Sequence, residues 1–317
     1  LEVVVYPIPT PIIDTDDALA YCEGDPVSVT MTVDIADGLY QWYVDNGAIE
    51  DANLQYYTAT VAGTYYAEVT VSGCTGISNA LEVVVNPIPI PVIDTDDALT
   101  YCEGDPISVT MTVDIADGLY QWYDAEGAIP GATLQNYEAT TAGTYYADVT
   151  VNGCTGTSNA IEVVVNPIPI PLIDTDDALV YCEGDPVSVT MTIDIADGLY
   201  QWYDAEGAIP GATLQSYEAN AAGTYYAEVT VNGCTGISNA LEVVVNPIPT
   251  PIIDTDDALA YCDGDPVSVT MTVDIADGLY QWYDNEGAIL GATLQNYTAT
   301  AAGTYFAEVT VNGCTGT

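Results

Sequence analysis

The chain repeats itself with a period of 80 residues. The segment YCEGDPVSVTMTVDIADGLYQWY recurs, with only conservative changes, at 21–43, 101–123, 181–203 and 261–283. A unit of this length is a whole domain rather than one rung of a solenoid. The sequence therefore predicts four tandem domains, preceded by one orphan strand at 1–5, with boundaries at 6–85, 86–165, 166–245 and 246–317.

Proline-rich segments join the predicted domains. Their sequences are NPIPIP and NPIPTP. Closely spaced prolines favour a stiff, extended connection over a flexible hinge. We therefore expect the four domains to be arranged as a rod.

Within each repeat, apolar and polar residues alternate with a period of two. VSVTMTV (27–33) alternates without a break, and TYYAEVTV (64–71) places Tyr65, Ala67 and Val69 on one face. This pattern is typical of half-buried strands. The second strand runs into VSGC in the first repeat and VNGC in the others, and Asn-Gly is a strong hairpin signal. About seven short strands per repeat, with no segment of helical period, indicate a β-sandwich.

Particular residues of the repeat resemble those of immunoglobulin-like (Ig-like) domains. VSVTM is followed by Trp42 on the next strand and then by AGTYYA, with Met31 and Ala67 where the inter-sheet cysteines would stand and Tyr65 at the tyrosine-corner position. More narrowly, YCEGDPVSVT, YQWY and GAIPGATLQNYEATTAGTYYADVTVNGC resemble the tandem Ig-like repeats of long secreted surface proteins of Bacteroidetes-type bacteria, adhesins and gliding-associated proteins among them. The resemblance implies an all-β fold of tandem Ig-like β-sandwich domains, exported to the cell surface.

The absence of basic residues excludes several classes of function. The chain has no Lys, Arg or His against 47 Asp and Glu, a formal net charge of −47. No basic surface can meet phosphates, so nucleic acid is excluded as a partner and anionic membrane surfaces are disfavoured. A hydrophobic content of 49% is enough for folded cores. The apolar runs are too short for membrane insertion.

Catalysis is left with carboxylates alone, because an imidazole base and a lysine Schiff base are both excluded. A glycoside hydrolase needs two carboxyl groups about 5–9.5 Å apart. Four near-identical copies, none with an insertion that could form a cleft, are unsuited to an active site. We therefore expect no enzyme and no required cofactor.

Eight cysteines fall in two phases of the repeat, namely Cys22, Cys102, Cys182 and Cys262, and Cys74, Cys154, Cys234 and Cys314. A regular, even set in a surface protein indicates disulfides. In Ig strand order the two phases lie at opposite poles of a domain, roughly 23 Å apart along seven residues of strand, which a disulfide cannot span. Bridges between neighbouring domains would join Cys22 to Cys154, Cys102 to Cys234 and Cys182 to Cys314. Bridges within a domain, permitted by a kinked first strand, and free thiols are the alternatives.

An acidic motif, DTDDA, follows each proline-rich segment. Its aspartates are Asp14, Asp16, Asp17, Asp94, Asp96, Asp97, Asp174, Asp176, Asp177, Asp254, Asp256 and Asp257. Ca²⁺ takes about six to eight oxygen ligands, and such a cluster could supply several of them. Calcium is therefore the one metal that the sequence suggests. The alternative is a solvated acidic turn that keeps an edge strand soluble.

Tyrosine dominates the aromatic residues, with 25 copies against one Phe. We expect Tyr40 and Tyr65 in the core, and Tyr43 and Tyr66 on the outside. Outward tyrosines suit lateral contacts between chains or stacking on sugars. The alternative is cross-strand pairing on a solvated sheet face.

The segment LEVVV closes the first and third repeats, and IEVVV closes the second, yet LEVVV also opens the chain. We expect Leu81, Val83 and Val85 to fill the core beside the strand at 64–71. The last repeat stops at GCTGT without this segment, which predicts an unpaired strand edge and an open apolar groove there.

Leu1, Val3 and Val5 form an orphan strand with the matching pattern. Two explanations fit. Either the chain is a window of a longer repeat polymer in which SNALEVVV follows, or separate subunits join head to tail by β-strand addition. In both cases we expect Leu1, Val3 and Val5 to complete a preceding unit.

Together these features predict a structural extracellular protein at the cell surface. Its repeats would form the shaft of a filament or fibre that associates with itself, head to tail or laterally. The alternative is a cell-surface adhesin whose repeats bind glycan or protein ligands. The loop at 44–53 favours the shaft, because VDNGAIEDAN varies little in its counterparts DAEGAIPGAT and DNEGAILGAT.

Overall fold

Alternation in the sequence becomes alternation of burial in the strands. In Val29–Val33, the residues Val29, Met31 and Val33 are buried and the threonines between them are exposed. Strands of this kind make up the fold, since the computed structural model, which describes residues 1–317, contains no helix. It accordingly has no helix that could cross a membrane.

Each of the first three repeats contains nine strands, and the fourth contains seven. The first repeat has β1 (Ile13–Asp14), β2 (Ala20–Cys22), β3 (Val29–Val33), β4 (Leu39–Val44), β5 (Gly47–Ala48), β6 (Tyr56–Ala59), β7 (Gly63–Val71), β8 (Cys74–Ile77) and β9 (Leu81–Asn86). The second has β10 (Ile93–Asp94), β11 (Thr100–Cys102), β12 (Val109–Val113), β13 (Leu119–Asp124), β14 (Gly127–Ala128), β15 (Asn136–Ala139), β16 (Gly143–Val151), β17 (Cys154–Thr157) and β18 (Ile161–Asn166). The third has β19 (Ile173–Asp174), β20 (Val180–Cys182), β21 (Val189–Ile193), β22 (Leu199–Asp204), β23 (Gly207–Ala208), β24 (Ser216–Ala219), β25 (Gly223–Val231), β26 (Cys234–Ile237) and β27 (Leu241–Asn246). The fourth has β28 (Ile253–Asp254), β29 (Val269–Val273), β30 (Leu279–Asp284), β31 (Gly287–Ala288), β32 (Asn296–Ala299), β33 (Phe306–Val311) and β34 (Cys314–Gly316).

Each complete repeat is a sandwich of two sheets. In the first repeat one sheet has the order β1-β3-β6, and the other has the order β2-β9-β7-β4-β5 with β8 also paired to β7. The chain changes sheets early, because β1 pairs antiparallel with β3 whereas β2 pairs parallel with β9. The second and third repeats have the same strand order. The predicted all-β, Ig-like fold in tandem is thus confirmed.

Each repeat has its own hydrophobic core. In the first, Trp42, Met31 and Ala67 are fully buried in one cluster, so an apolar pair stands where Ig domains carry a disulfide. The indole Nε1–H of Trp42 donates a hydrogen bond to the Leu54 carbonyl at 2.9 Å. The repeats group two by two into compact units, Leu1–Val165 and Asn166–Thr317.

Two tyrosines of the first repeat take the places expected of them. Tyr65 is buried, and its hydroxyl donates to the carbonyl of Val61, four residues upstream, at 2.9 Å. This contact is the tyrosine corner of Ig-like folds, and burial raises the pKa of Tyr65. Tyr40 is half-buried, and its hydroxyl donates to the Ile35 carbonyl at 2.7 Å.

The last strand of the repeat is less buried than the sequence suggests. Val83 is 1% exposed and Leu81 is half-buried, but Val85 is 37% exposed. The prediction that all three residues fill the core is therefore wrong at Val85. The reason is that β9 runs past the core to the end of the domain, where Asn86 meets the next repeat.

The cores can be tested at one position and its neighbour. Met111 is fully buried, and Met→Ala in a core costs about 2–5 kcal/mol. Met111→Ala should therefore move one component of the calorimetric unfolding transition to lower temperature. Thr112→Ala, on the exposed face of the same strand, is the matched control and should leave the transition in place. Equal shifts in the two variants would contradict the burial pattern.

Candidate functional site

The last strand of each complete repeat pairs with two other strands of that repeat. We call these strands, β9, β18 and β27, the closing strands. On one side β9 pairs with β2, with Ala20 opposite Val84 and Cys22 opposite Asn86. On its other side it pairs antiparallel with β7. The closing strand β9 thus lies between β2 and β7 in the sheet, and the chain leaves the repeat at the end of this strand.

The end of a closing strand meets the hairpin of the following repeat. In the unit 1–165 the side-chain amide of Asn86 donates to the backbone carbonyl of Asn152 at 3.2 Å. Asn152 and Gly153 form the hairpin turn with φ values of 51° and 83°, which suit Asn and Gly better than other residues. The Asn-Gly signal in the sequence therefore marks a contact between domains as well as a turn.

A disulfide closes the same junction. Cys22, at the end of β2, is bonded to Cys154, at the start of β17, with a Cα–Cα distance of 5.5 Å. In the unit 166–317, Cys182 is bonded to Cys314 with the same Cα–Cα distance, 5.5 Å. Both disulfides join neighbouring domains, and both are among the inter-domain pairs expected from the sequence. Cys102 and Cys234 are disulfide-bonded as well.

The proline-rich segment is fixed against the repeat that it introduces. The Pro89 carbonyl lies so close to Gly156 that a Cβ on this glycine would stand 1.8 Å from the oxygen. Only glycine can occupy such a position without a shift of the backbone. The pairs Pro9 and Gly76, Pro169 and Gly236, and Pro249 and Gly316 repeat the contact. Sequence reasoning missed this role, although CTG follows the hairpin in every repeat.

Two cysteines, Cys74 and Cys262, are free. Cys74 is half-buried, whereas its counterparts Cys154 and Cys314 are at most 1% exposed. Cys262 is exposed, whereas its counterpart Cys22 is half-buried. The two free cysteines are thus more exposed than their counterparts in the other repeats.

The fourth repeat has an open groove where the other repeats have a closing strand. A cavity of about 700 Å³ lies there, lined among others by Tyr261, Cys262, Val269, Met271 and Tyr305. The segment 260–262 is not a strand, and β33 begins three residues later than its counterparts in the sequence. The counterpart of β2 has therefore lost its strand structure, and β33 has lost the first three residues of its strand.

The groove leaves apolar side chains in solvent. Leu259 is 78% exposed and Tyr261 is 39% exposed, whereas the counterpart residues Leu19 and Tyr21 pack against the core of the first repeat. We call this surface of the fourth repeat, lined by residues that include Leu259, Tyr261, Val269, Met271 and Tyr305, the open groove.

The N-terminal segment is a closing strand without a sheet. Leu1, Val3 and Val5 are exposed and belong to no strand. Tyr6, however, takes the position of Asn86, since its carbonyl oxygen lies 3.5 Å from the Cys74 sulfur, as that of Asn86 lies 3.8 Å from the Cys154 sulfur. Tyr6 therefore contacts the first repeat in the way that Asn86, at the end of a closing strand, contacts the second repeat.

The aspartates of the DTDDA motif accept hydrogen bonds from the backbone. Nowhere does the structure bring three or more Asp, Glu or Cys residues into a group that could hold a metal ion. The Asp97 carboxylate accepts a hydrogen bond from the backbone N–H of Thr110 at 2.7 Å, and the Thr95 hydroxyl donates to the Thr110 carbonyl at 2.8 Å. The carboxylates of Asp17, Asp177 and Asp257 make the equivalent bond. These hydrogen bonds form a turn that fastens the segment after β10 to β12.

The outward tyrosines pair with each other. Tyr43 and Tyr66 stack across neighbouring strands with ring centroids 4.8 Å apart. The Tyr43 hydroxyl donates to the Glu68 carboxylate at 2.8 Å, and this hydrogen bond raises the pKa of Tyr43. These contacts are cross-strand pairing, which the sequence left as the alternative to ligand stacking.

Comparison with known proteins identifies the repeat. Residues 89–167 and 170–247 each match a family described as Ig-like domain CHU_C associated. They correspond to the second and third copies of the repeated sequence. No curated protein matches the chain.

Solved structures with several Ig domains are similar to the chain. The D1–D4 ectodomain fragment of ICAM-5 is 11% identical, covers 97% of each chain and gives a TM-score of 0.37. A Dscam structure, solved to explain isoform specificity, is 12% identical over 96% of this chain and 97% of that one, with a TM-score of 0.30. Three N-terminal domains of the outer capsid protein Hoc of bacteriophage RB49 are 13% identical over 76% of this chain and 99% of that one, with a TM-score of 0.32. Similarity this low carries no argument about function.

The cysteine pairing predicts a thiol count. The denatured, unassembled chain should titrate two thiols, those of Cys74 and Cys262. Cys154→Ser should raise the count by one, because Cys22 loses its partner. Cys74→Ser, the control, should lower the count by one. An unchanged count in Cys154→Ser would show that Cys22 is bridged elsewhere.

The structural role of the acidic motif predicts a difference between adjacent aspartates. Asp97→Ala removes the acceptor of the Thr110 N–H, and a bond of this kind contributes about 0.5–1.5 kcal/mol. The variant should therefore unfold at a lower temperature, while Asp96→Ala, at an exposed neighbour, should not. A chelator at fixed ionic strength should leave the melting temperature unchanged. A fall in the melting temperature on chelation would instead support a bound calcium ion at the motif.

Proposed function

We propose, on the premise that the second and third repeats match the CHU_C-associated Ig-like domain family, that the chain is a structural protein of the cell surface. Its repeats form the shaft of an extracellular filament. The repeats continue head to tail by strand completion, a segment with the sequence of residues 1–5 completing the fourth repeat. The proposed role requires neither catalysis nor a cofactor.

The observation that carries this proposal is the match between the open groove and the sequence of residues 1–5. The fourth repeat has an open groove and no counterpart of the closing strand. The segment 1–5 has the sequence LEVVV, identical to 81–85 and 241–245, and is exposed and unpaired. A second copy of the chain thus offers the segment that this fold accepts in its other repeats.

Filling the groove is favourable for two physical reasons. At the equivalent position in the first repeat, Val83 is almost completely buried, and full burial of a Val or Leu side chain contributes about 1.5–3 kcal/mol. The added strand also supplies backbone partners on two sides, to the counterparts of β2 and β7. An unpaired sheet edge over an apolar core otherwise invites association with other chains.

The cysteines and the absence of basic residues support a setting outside the cell. Six of the eight cysteines are disulfide-bonded, and disulfides persist in oxidising compartments such as the cell exterior. The absence of Lys and Arg leaves no cleavage site for trypsin-like proteases. Both properties suit a fibre that is exposed to its environment.

An adhesin that binds glycans or proteins through its repeats has less support. The outward tyrosines Tyr43 and Tyr66 are stacked on each other rather than presented singly. The loops at 44–53 and its counterparts also vary little. A glycan array probed with the purified chain separates the two functions, and we expect no binding above background.

Strand addition is tested by replacing valine with threonine in two separate variants of the N-terminal segment, at Val3 and at Val5. The counterpart of Val3 is Val83, which is 1% exposed, and the counterpart of Val5 is Val85, which is 37% exposed. Burial of an unpaired hydroxyl costs about 1–3 kcal/mol, or roughly 5- to 150-fold in affinity per junction. Val3→Thr should therefore raise the concentration needed for assembly, and Val5→Thr should not.

Assembly is followed by sedimentation velocity and by electron microscopy of the purified chain. The peptide SNALEVVVN, which copies residues 78–86, should compete with assembly and raise the melting temperature of the fourth repeat. The same peptide with Asp at the Val83 position is the control. A chain that stays monomeric at high concentration, or that assembles equally well with Val3→Thr, would contradict strand addition.

A further inference from the structure

We propose that a pair of outward-facing tyrosines in each of the first three repeats is an oxidative cross-linking site, at which a carbon–carbon bond joins the two rings as dityrosine. In the first repeat the pair is Tyr43 on β4 and Tyr66 on β7. The proposed bond lies within one repeat and does not depend on how copies of the chain associate. The counterpart pairs are Tyr123 with Tyr146 and Tyr203 with Tyr226.

The two rings of each pair lie face to face. Tyr43 and Tyr66 are direct partners in the antiparallel pairing of β4 with β7, and their ring centroids are 4.8 Å apart with planes 1° from parallel. In the second and third repeats the centroids are 5.0 Å and 4.9 Å apart, and the planes are 4° and 7° from parallel. Two phenoxyl radicals combine through the π faces of their rings, so a parallel stack presents the reacting carbons of one ring to the other ring.

One tyrosine of each pair donates its hydroxyl hydrogen to a carboxylate. In the first repeat the Tyr43 hydroxyl donates to Glu68 at 2.8 Å. The third repeat has the same hydrogen bond at 2.6 Å, and in the second repeat Asp148 takes the place of the glutamate. A phenol that loses an electron becomes a strong acid and gives up its proton. Because the carboxylate already holds the hydrogen bond, it accepts this proton at once and favours oxidation at this tyrosine.

Other tyrosines of the repeat are placed less well for this reaction. In the first repeat the hydroxyls of Tyr21, Tyr40 and Tyr65 donate to backbone carbonyls, which do not take up a proton at neutral pH. Tyr65 is also buried, and its ring is tilted by 31° from the ring of Tyr57 at a centroid distance of 5.8 Å. The rings of the proposed pair are only half-buried on the outer face of the sheet, where an oxidant reaches them.

The oxidant is hydrogen peroxide, activated by a haem peroxidase. Each tyrosine of the pair gives up one electron and its hydroxyl proton, which leaves two phenoxyl radicals. These combine through the ring carbons next to the oxygen-bearing carbons, and one carbon–carbon bond forms. A proton then leaves each bonded carbon and a proton returns to each oxygen, so both rings are aromatic again. In sum the pair loses two electrons and two protons, and the peroxide takes them up as its O–O bond breaks to give two molecules of water.

The fourth repeat is a natural control, because it has Phe306 where the other repeats have the second tyrosine. Tyr283 stacks on Phe306 with ring centroids 4.8 Å apart and planes 5° from parallel. The Tyr283 hydroxyl also donates to Glu308 at 2.5 Å. The geometry of the site is therefore kept, but phenylalanine has no hydroxyl and forms no phenoxyl radical. The fourth repeat should accordingly not cross-link, and it shows that phenylalanine is accepted at this position of the fold.

The test uses the full chain, diluted until it sediments as a monomer and then treated with hydrogen peroxide and a haem peroxidase. Dityrosine is measured by its fluorescence after acid hydrolysis. The unmodified chain should form one cross-link in each of the first three repeats and should still run as a monomer on a denaturing gel with reductant. A variant that combines Tyr66→Phe, Tyr146→Phe and Tyr226→Phe should form none. The matched control, which combines Tyr21→Phe, Tyr101→Phe and Tyr181→Phe, should form as much as the unmodified chain.

The substitution Phe306→Tyr supplies the opposite test, because it adds the missing hydroxyl to a stack that already exists. The dityrosine yield should rise by one third, from three pairs per chain to four. An unchanged yield would overturn the proposal. Dityrosine that persists in the triple phenylalanine variant, or that occurs only in oligomers that reductant does not separate, would overturn it as well.

The role of the carboxylates is tested by a variant that combines Glu68→Gln, Asp148→Asn and Glu228→Gln. At neutral pH this variant should cross-link more slowly than the unmodified chain, because an amide does not accept the phenol proton. The difference should narrow as the pH approaches about 10, the usual pKa of tyrosine, since a phenolate has no proton to give up. Equal rates at neutral pH would show that the carboxylates do not act as proton acceptors, whereas a deficit that stays the same at every pH would show a purely structural effect.

Discussion

The backbone pairing of the closing strand is the interaction on which each repeat depends. A sheet edge over an apolar core exposes unpaired N–H and C=O groups, and β9 covers two such edges at once, those of β2 and β7. The fourth repeat shows the result when this strand is absent. Segment 260–262 forms no strand, and β33 starts only at Phe306. The core formed by Val273, Trp282 and Val309 nevertheless stays buried, so the loss of strand structure is confined to the edge of the sheet.

A chain with no basic side chain must obtain stability from other sources. Its 47 carboxylates have no Lys, Arg or His as partners, and a net charge of this size favours expansion of the chain. The structure keeps polar and charged side chains out of its cores and uses aspartates such as Asp97 as acceptors for backbone N–H groups. Apolar burial, backbone hydrogen bonds and disulfides therefore hold the fold, and salt should help by screening the carboxylates from one another.

Period-two alternation was enough to predict the strands, because burial in Val29–Val33 follows the sequence pattern residue by residue. The missing LEVVV also predicted the open groove of the last repeat. Other features depend on distances that a sequence pattern does not contain. Val85 shares the alternation of Val83 but lies beyond the core, and the contact of Gly156 with Pro89 joins segments that nothing in the pattern links. The DTDDA motif has a composition that suits calcium, yet its backbone turns the carboxylates toward N–H groups.

The disulfides alter how tension would travel through the chain. A pull on the backbone of the unit 1–165 reaches Cys22 and crosses directly to Cys154, because the sulfur bridge is a shorter covalent path than the 132 residues that separate them. At about 3.3–3.6 Å per extended residue, the bridge withholds roughly 450 Å of chain from stretching. Most of two domains, including the core around Trp42 and Trp122, is thereby shielded from the applied force. The bridge between Cys182 and Cys314 has the same effect in the unit 166–317, so in each unit the strands between the bridged cysteines are shielded from load.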